Sequence, residues 1–446
     1  MTTDLKPRDR FWVSQPVLQL EDPDPSTVGL IKEQTIDEVS TEPLPIPPAY
    51  EWWTPNVEDP EDLRHIYSLL RDNYVEDRES MFRFNYSQEF LRWALTPPGY
   101  RPSWHVAVRL KYDKTTLGFV AGIPITMRLG TPKRILEDRK KNNDDAVVND
   151  YLEPQTICEI NFLCVHKRLR SKNFGPTLIR EVTRRVNLDN VWRAVYTSGT
   201  QITRPFAKGD YFHRNLNPEK LIEVRFSSIP EHYMRFQNPI AALNRVYRLP
   251  ENTKVRGLRP MRPEDIVQVT QLLRDKLLSF DVAPVFNEEE VGHYLLPCDG
   301  VMYSYVVESE TNVKAVKGNK NTDKDKNPKS EDKGNEEESS KKRITDFFSY
   351  YSLPSTIIGS QKYSVLKVAY IHYYVATKTP LCDLINDLLV IAQREGYDVC
   401  NAVNIYDNGS FLKELKFTPG DGNLFYYFYN WLYPTVKPSD VGLIML

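Results

Sequence analysis

The chain has 446 residues and a formal net charge of −2, and 41% of its residues are hydrophobic. These values are typical of a folded protein with two or three domains, and they give no global electrostatic reason to bind nucleic acid or an anionic membrane. Five scattered cysteines and seven dispersed histidines predict reduced thiols and no metal site. Because the sequence has no membrane span or signal-peptide core, we expect a cytoplasmic protein without stable membrane insertion.

The first fifty residues are rich in proline, aspartate and glutamate, as in "DPDPSTVGL" and "STEPLPIPPAY". This composition predicts an extended arm, residues 1–50, that lies over the folded body. A free tail has little reason to carry Phe11 and Trp12, so we expect the stretch "RFWVSQPV" to be docked.

The next part of the chain alternates helix and strand patterns. Apolar residues at helical spacing predict a helix over residues 59–76. The runs "HVAVRL" and "TLGFVAGIPITM" predict a hairpin of buried strands. A further strand is predicted by "TICEINFLCVH", and a basic loop connects it to the amphipathic helix of "KRLRSKNFGPTLIREVTRRV". Strand character returns in "VWRAVYTS".

The same strand–helix–strand order returns near the end of the chain. The runs "YSVLKVAYIHYYVA" and "YDVCNAVNI" predict strands, and "TPLCDLINDLLVIAQREG" predicts the helix between them. We therefore expect two related halves, residues 51–245 and 246–446. Residues 311–343 have no aromatic and almost no apolar side chains, which predicts a disordered insertion in the second half.

The basic loop before the first of these helices carries the clearest chemistry. Lys167, Arg168, Arg170 and Lys172 follow a strand, and Pro176 stands where a first helical turn begins. A helix N-terminus with basic side chains beside it is a natural phosphate site, although the solvated start of an ordinary helix would show the same pattern. The spacing also resembles the Arg/Gln-x-x-Gly-x-Gly/Ala loop that holds the coenzyme A pyrophosphate in GNAT acyltransferases.

Three long motifs resemble a single family. They are "EINFLCVHKRLRSKNFGPTLIREVTRR", "KFTPGDGNLFYYFYNW" and "NYVEDRESMFRFNYSQEFLRWAL", and the likeness runs from "RFWVSQPV" to the last residue. These motifs resemble the eukaryotic glycylpeptide N-tetradecanoyltransferases, or N-myristoyltransferases. The resemblance implies an α/β fold, a saddle-shaped mixed β-sheet with surrounding helices in two GNAT-like halves related by pseudo-twofold symmetry. It also implies transfer of myristate from myristoyl-coenzyme A to the N-terminal glycine of proteins.

The resemblance implies a site for myristoyl-coenzyme A as co-substrate, with no tightly bound cofactor. The loop departs from the GNAT pattern at Asn173, where many relatives carry Arg, but Asn tolerates a left-handed backbone. Packing of the arm is the alternative explanation for Phe11 and Trp12. The matching positions are Arg10, Phe11, Trp12, Asn73, Tyr74, Phe162, Leu163, Cys164, Val165, Arg170, Ser171, Asn173, Phe174, Gly175 and Pro176.

In acyl transfer the thioester oxygen gains negative charge, which two converging N–H groups stabilise. By resemblance these are the backbone amides of Phe162 and Leu163, with Asn161 adjacent to hold the backbone bend, although "EINFLCV" is also typical of an ordinary buried strand. The glycine amine, with a pKa of about 8, must lose a proton before it attacks. The family uses its C-terminal carboxylate, here that of Leu446, with Thr197 placed to assist.

For the peptide, the resemblance implies a groove with aromatic walls and with carboxylates that suit basic substrate residues. The groove would bind N-terminal glycine peptides and nascent proteins. We also expect the protein to be a monomer and to bind no nucleic acid. A tight turn would also explain the glycines of "PGDG", and His213 could equally be a surface histidine. The matching positions are Val75, Glu76, Asp77, Phe82, Phe84, Tyr86, Tyr211, His213, Tyr370, Asn401, Asp421, Gly422 and Leu424.

Two other functions compete with this one. A GNAT-type N-acetyltransferase would use a shorter acyl-coenzyme A, and a lipid- or peptide-binding scaffold would have no activity. The acetyltransferase lacks support from the long groove motifs, and the intact positions Phe162, Leu163, Asp421 and Leu446 argue against a scaffold. A side activity that the same site would allow is myristoylation of lysine, because a lysine amine could enter it.

Overall fold

The computed structural model describes residues 11–77, 79–130, 132–133, 137, 153–170, 172–311 and 341–446. Two residues predicted to contact acyl-coenzyme A, Arg10 and Ser171, lie outside these ranges.

The described residues form sixteen strands. In chain order they are β1 (Tyr50–Trp53), β2 (Phe82–Phe84), β3 (His105–Leu110), β4 (Thr116–Arg128), β5 (Gln155–Val165), β6 (Ala194–Ser198), β7 (Ala207–Asn215), β8 (Leu258–Pro260), β9 (Ala283–Pro284), β10 (Met302–Thr311), β11 (Lys341–Ser352), β12 (Ser355–Ile357), β13 (Val365–Leu366), β14 (Val368–Val375), β15 (Val399–Val403) and β16 (Thr418–Tyr429).

Helices cover the faces of the sheet and its connections. They are α1 (Pro60–Asn73), α2 (Gln88–Leu95), α3 (Phe174–Leu188), α4 (Pro218–Glu223), α5 (Pro239–Tyr247), α6 (Ile266–Leu277), α7 (Glu288–Leu295) and α8 (Leu381–Arg394). Within the described ranges, no helix is long and apolar enough to cross a bilayer.

One large mixed sheet organises the described residues. Its order is β1-β3-β4-β5-β6-β16-β7-β15-β14-β11-β10-β8, with β9 paired to β4. Neighbours are antiparallel except at β5–β6 and β14–β15, which are parallel. A small second sheet has the order β13-β12-β2. The predicted α/β class with a mixed sheet and surrounding helices is confirmed.

The two parallel pairs reflect a repeated unit. In the first half β5 leads through α3 to β6, and in the second β14 leads through α8 to β15. A parallel pair needs such a crossover, because its strands cannot be joined by a tight turn. The two units flank the central strands β16 and β7, which is the arrangement expected from two related halves. The domain limits at residues 51–245 and 246–446 remain a prediction.

The local predictions for the first half agree with the structure. The helix predicted over residues 59–76 begins at Pro60, because the Asp59 side chain accepts hydrogen bonds from two N–H groups of its first turn. It ends at Asn73, three residues earlier than predicted. The predicted hairpin is the antiparallel pair β3–β4.

The limits predicted for the disordered insertion, residues 311–343, are wrong at both ends. Thr311 ends β10 and pairs with Lys341 at the start of β11. The Lys342 ammonium lies 2.8 Å from the Glu308 carboxylate on the neighbouring strand. Polar side chains can therefore continue a ladder when the partner strand satisfies the backbone and the charges. Residues 312–340 lie outside the described ranges.

The arm is docked where the sequence predicts. Phe11, Trp12 and Val17 are buried in a small cluster with Ile179 of α3 and Tyr196 of β6. The Trp12 ring stacks on the Tyr196 ring, with 5.7 Å between centroids. This packing ties the arm to the helix that follows the basic loop.

Candidate active site

The strand β5 changes its backbone at Phe162. This residue has a φ of 55°, in the left-handed region that costs energy for a bulky side chain. The register with β4 shifts at the same place, so that Phe162 and Leu163 together face Val120 in a bulge. The Phe162 ring is buried, whereas Leu163 is 38% exposed. The bulge therefore directs this part of β5 out of the regular ladder.

Asn161 connects the bulge to the last residue of the sequence. Its side-chain oxygen accepts a hydrogen bond of 2.9 Å from the Phe162 amide, and its side-chain nitrogen donates one of 3.0 Å to the main-chain oxygen of Leu446. The backbone amide predicted to stabilise the thioester oxygen is thus held by Asn161. The same side chain brings the predicted oxyanion donor and the predicted base to one point.

The segment before Leu446 is fixed inside the protein. Val441, Leu443 and Met445 are buried in the main core. The Tyr373 hydroxyl donates to the Gly442 carbonyl oxygen at 3.3 Å and accepts from the Ile444 amide at 3.2 Å. Alternating apolar anchors and backbone hydrogen bonds leave little freedom to the residue that follows. Leu446 itself is half-buried.

Thr197 lies on the strand beside this point. The parallel ladder between β5 and β6 ends at the pair Glu159–Val195, although both strands continue. Continued in the same register, the ladder would place Thr197 opposite Asn161. No further ladder pair between these strands is formed in the described residues, which leaves an opening in the ladder next to the bulge at Phe162. The order of the sheet thus places Thr197 across this opening.

The basic loop has the backbone that the sequence predicts. Asn173 has a φ of 58° and precedes the first residue of α3. A Cβ atom added at Gly175 would meet no atom within 4 Å, so the start of the helix is open to a ligand. Pro176 lies in the first turn, and the Phe174 ring packs against Tyr50. Phe174 therefore contributes to the core through its side chain.

Arg170 is engaged with the protein. Its guanidinium donates to the backbone oxygens of Asn73 and Val165. The Asn73 side chain donates to the Leu69 carbonyl and accepts from the Lys167 amide at 3.1 Å. Asn73 and Arg170 thus brace the end of α1 against the loop, which is a positioning role for two of the predicted ligand residues.

The carboxylates predicted to attract a basic peptide are also paired. The Glu76 carboxylate accepts hydrogen bonds from Lys167 and Arg83 at 2.9 Å and 2.6 Å. These hydrogen bonds lower the pKa of Glu76 to about 2, and the Lys167 ammonium has a larger effect than the Arg83 guanidinium. Asp77 accepts from the Phe82 amide at 2.6 Å and holds the turn before β2. Both carboxylates therefore shape the loop in this structure.

Aromatic side chains from separate elements meet beside the bulge. Tyr86 packs against Phe162 with 5.2 Å between ring centroids, and against Phe84 with 6.0 Å. The Tyr74 ring lies 6.2 Å from Phe162, and Leu446 packs against the same cluster. The predicted aromatic walls are therefore next to the predicted reaction point.

A second group of groove residues lies on β7, β14 and β15. The His213 ring nitrogen Nδ1 is 2.7 Å from the Asn401 side-chain oxygen, and burial lowers the pKa of His213. The Asn401 side chain also forms a hydrogen bond with the Tyr370 hydroxyl. The Tyr370 ring stacks on the Tyr351 ring. Tyr211 lies two residues before His213 on the same face of β7. His213 is thus half-buried and held by Asn401, and its place in a peptide groove remains a prediction.

The "PGDG" motif forms a bulge inside β16 and not a turn between two elements. The register with β7 is interrupted between Pro419 and Asn423. A Cβ atom on Gly420 would lie 2.2 Å from His213 Nε2, and one on Gly422 would lie 3.1 Å from the Tyr211 ring. The glycines allow the strand to pass close over these rings, and the predicted residues Asp421 and Leu424 are carried along with it.

Glu159 is a buried carboxyl group in the same region. It is 6% exposed and lies two residues before Asn161 on the same face of β5. It accepts no hydrogen bond from the described residues, and burial raises its pKa to about 7. Burial raises the pKa of Tyr294, and the negative charge of Glu159 raises it further.

The structure brings together most of the predicted residues that it describes, and it adds two. Asn161 was expected only to hold a backbone bend, yet it also binds Leu446. A polar residue inside the apolar run "EINFLCV" was the signal. Tyr373 anchors the tail, and no local pattern marked it. Across the described part of the chain, no three His, Cys, Asp or Glu side chains are grouped as a metal site would require.

The bulge at Phe162, the open start of α3 at Gly175 and the anchored tail before Leu446 lie in segments that family comparisons also cover. Residues 30–209 match the family model of the myristoyl-CoA:protein N-myristoyltransferase N-terminal domain. Residues 223–317 and 336–444 match that of the C-terminal domain. The chain belongs to the N-myristoyltransferase family of acyltransferases.

Individual relatives agree with this assignment over the whole chain. Glycylpeptide N-tetradecanoyltransferase 1 of Arabidopsis thaliana is 43% identical over 98% of this chain and 89% of its own length. Glycylpeptide N-tetradecanoyltransferase 2 of Bos taurus is 41% identical over 99% of this chain and 77% of its own length. A crystal structure of Saccharomyces cerevisiae N-myristoyltransferase with bound myristoyl-CoA superposes with a TM-score of 0.81 at 33% identity, covering 98% of this chain and 99% of that one.

Proposed function

We propose that this chain transfers myristate from myristoyl-coenzyme A to the amine of an N-terminal glycine and forms an amide. The observation that supports this most directly is the Asn161 side chain, which holds the Phe162 amide and the Leu446 oxygen at one point. Acyl transfer needs a donor for the developing oxyanion and an acceptor for the amine proton within reach of the same carbon.

The proposed reaction needs no nucleophile from the enzyme. The glycine ammonium loses one proton to the Leu446 carboxylate, and the free amine attacks the thioester carbonyl carbon. The C–N bond forms, the C–S bond breaks, and the second amine proton neutralises the departing thiolate. We assign to Thr197, across the opening from Asn161, the role of positioning the amine. The tail anchors keep the carboxylate in place, which favours reaction through orientation.

The oxyanion is assigned to the amides of Phe162 and Leu163. In the structure the Phe162 amide donates to Asn161, so this amide is already oriented and has a replaceable partner. We propose that the thioester oxygen takes over that hydrogen bond during the reaction. Asn161 would then orient the Phe162 amide before the thioester arrives, while its side-chain nitrogen keeps the hydrogen bond to Leu446.

We assign the coenzyme A phosphates to the open helix start at Gly175, with the amides of that turn as donors. Asn73 and Arg170 brace this loop, and the docked residues Phe11 and Trp12 would cover the acyl donor. The groove of His213, Asn401 and Tyr370 would take the peptide. We also expect a monomer that acts on nascent chains in the cytoplasm, with myristoyl-coenzyme A as co-substrate and no tightly bound cofactor.

The test is mass spectrometry of a glycine-start peptide after incubation with the purified protein and myristoyl-coenzyme A. We expect one added myristoyl group on the N-terminal amine, and none when alanine replaces the glycine. A series of acyl-coenzyme A donors of different chain length separates this reaction from N-acetylation. Equal or faster use of acetyl-coenzyme A, or equal reaction of the alanine peptide, would contradict the proposal.

A further inference from the structure

A surface excursion connects β7 to β8. We define the excursion as residues 218–248, which include α4 and α5. Leu221 and Leu243 are buried and anchor it, and α4 packs against α5. Between the two helices, a short turn at Glu231–Tyr233 leads into an exposed tip.

The tip of the excursion presents apolar side chains to solvent. Met234 is 62% exposed and Phe236 is 45% exposed. Local backbone hydrogen bonds, of 3.0 Å each, join the Met234 amide to Glu231 and the Phe236 amide to Tyr233. The tip is therefore ordered with these side chains outward. Two large apolar side chains exposed at the same tip indicate a surface that is covered in use.

The part of the excursion that contains the tip, residues 225–248, is locally basic, whereas α4 before it carries Lys220 together with Glu219 and Glu223. Between Arg225 and Arg248 the sequence has four arginines and one carboxylate, Glu231, whereas the whole chain has a net charge of −2. All four arginines are exposed, and within the described residues none of them forms an ion pair with a carboxylate. The Arg235 guanidinium lies 5.5 Å from the Phe236 ring centroid, so positive charge and apolar surface coincide at the tip.

We propose that the excursion docks on an anionic phospholipid bilayer, with Met234 and Phe236 in the interfacial layer and the arginines on the headgroups. The unpaired arginines match the anionic headgroups of a bilayer, and the protruding apolar side chains match the boundary between headgroups and acyl chains. A nucleic acid would use the arginines but would leave Met234 in water. The excursion is small, which disfavours a protein partner of ordinary interface size.

Docking by the excursion would act close to the groove. Phe226, between α4 and the tip, lies 5.1 Å from the His213 ring and 5.5 Å from the Phe82 ring. A bilayer at the tip would therefore lie near the entry for the peptide. This consequence rests on the proposed function, whereas lipid binding by the excursion does not.

The test is co-sedimentation of the full chain with vesicles of phosphatidylcholine alone, or of phosphatidylcholine mixed with phosphatidylserine. We expect binding to the mixed vesicles that weakens as salt is added. Replacing Met234 and Phe236 by Ser should lower the partition coefficient about tenfold or more. Replacing Arg235 and Arg245 by Glu should do the same, since each basic residue near such a surface contributes about a fivefold factor.

The matched control replaces Val267 and Leu278 by Ser, because these side chains of α6 and its end are similarly exposed, at 60% and 57%. The control should bind vesicles like the unchanged chain, and all variants should keep their turnover of a short soluble peptide. The proposal is overturned by equal binding of all variants, by equal binding to neutral vesicles, or by an RNA oligonucleotide that displaces the protein from the vesicles at stoichiometric concentration.

Discussion

The side-chain nitrogen of Asn161 lies 3.0 Å from the main-chain oxygen of Leu446, although 285 positions separate the two residues in the sequence. The first is on the bulged strand β5, and the second follows a tail that is buried in the core. This contact joins the predicted oxyanion donor to the predicted base. Asn161 contacts both the Phe162 amide and Leu446, so a substitution at Asn161 can test the roles proposed for these two groups.

Replacing Asn161 by Ala should reduce kcat/KM for a glycine peptide about tenfold to a hundredfold, because a hydrogen bond to a charged group contributes about 1.5–3 kcal/mol. Steady-state kinetics measures the loss, and calorimetric titration checks that myristoyl-coenzyme A still binds. Ile160→Val is the matched control on the opposite face of β5, and it should retain activity. Unchanged kinetics for the Asn161 variant would contradict the bridging role.

Deleting Leu446 should lower turnover by at least about a hundredfold, because the terminal carboxylate then belongs to Met445 and is withdrawn by one residue from Asn161. Acyl-coenzyme A binding should remain, since the loop at Gly175 is untouched. Adding one glycine after Leu446 moves the carboxylate without removing any side chain, and it should cause a similar loss. If the extended chain keeps full turnover in a stopped-flow assay, the base lies elsewhere.

Two substitutions at Gly175 separate folding from ligand binding. Space is open around this position, so Ala should raise helix stability by up to about 1 kcal/mol and keep affinity for myristoyl-coenzyme A. Val should also fold, but its branches would fill the helix start, and the dissociation constant should rise about tenfold or more. Thermal unfolding and calorimetric titration measure the two effects. Equal affinity of the Val variant and the unchanged chain would place the phosphates elsewhere.

Replacing Gly420 by Ala should weaken the peptide and not the acyl donor. The new Cβ atom would lie 2.2 Å from His213 Nε2, so the ring must shift away from Asn401. Loss of that hydrogen bond should raise the peptide KM about tenfold. Gly409→Ala is the control, because a Cβ atom there meets nothing within 4 Å. A rise in the acyl-coenzyme A dissociation constant instead would argue against this division of the site.

Glu159 should make stability depend on pH. Burial raises its pKa from the ordinary value of 4.5 to about 7, so ionisation above pH 7 opposes folding. The penalty is absent below about pH 4.5 and complete above about pH 7, where it is on the order of 3 kcal/mol. Glu159→Gln should therefore unfold at higher urea than the unchanged chain at pH 8, and at nearly equal urea at pH 5. A constant difference between the two pH values would exclude this ionisation.

The sequence predicted the local architecture well because local patterns carry it. Alternation and helical spacing identified the hairpin β3–β4, the helices α1, α3 and α8, and the strand–helix–strand repeat. The prediction failed at the insertion, where composition suggested disorder at 311 and 341–343. There the neighbouring strand supplies backbone hydrogen bonds and opposite charges. The composition of a segment does not reveal which strand will lie beside it.

Within the candidate site, the sequence predicted the types of the residues but not their hydrogen-bond and ion-pair partners. Glu76 and Arg170 have the charges expected for binding peptide and phosphate. In the fold, Glu76 pairs with Arg83 and Lys167, and Arg170 donates to the backbone of Asn73. Such pairing depends on which elements become neighbours, and the spacing of residues along the chain does not report it.

The sequence alone determined the hairpin, the helices and the strand–helix–strand repeat named above, the left-handed position at Asn173 and the apolar tail. Each of these follows from local backbone preference or from hydrophobic periodicity, whereas the class of fold came from the family resemblance. Only the tertiary structure decided that Asn161 meets Leu446, that the "PGDG" glycines pass over His213 and Tyr211, and that the Glu159 carboxyl group is buried where no side chain in the described ranges donates a hydrogen bond to it. These facts depend on the register and order of strands that are distant in the sequence, which are set by packing of the whole sheet.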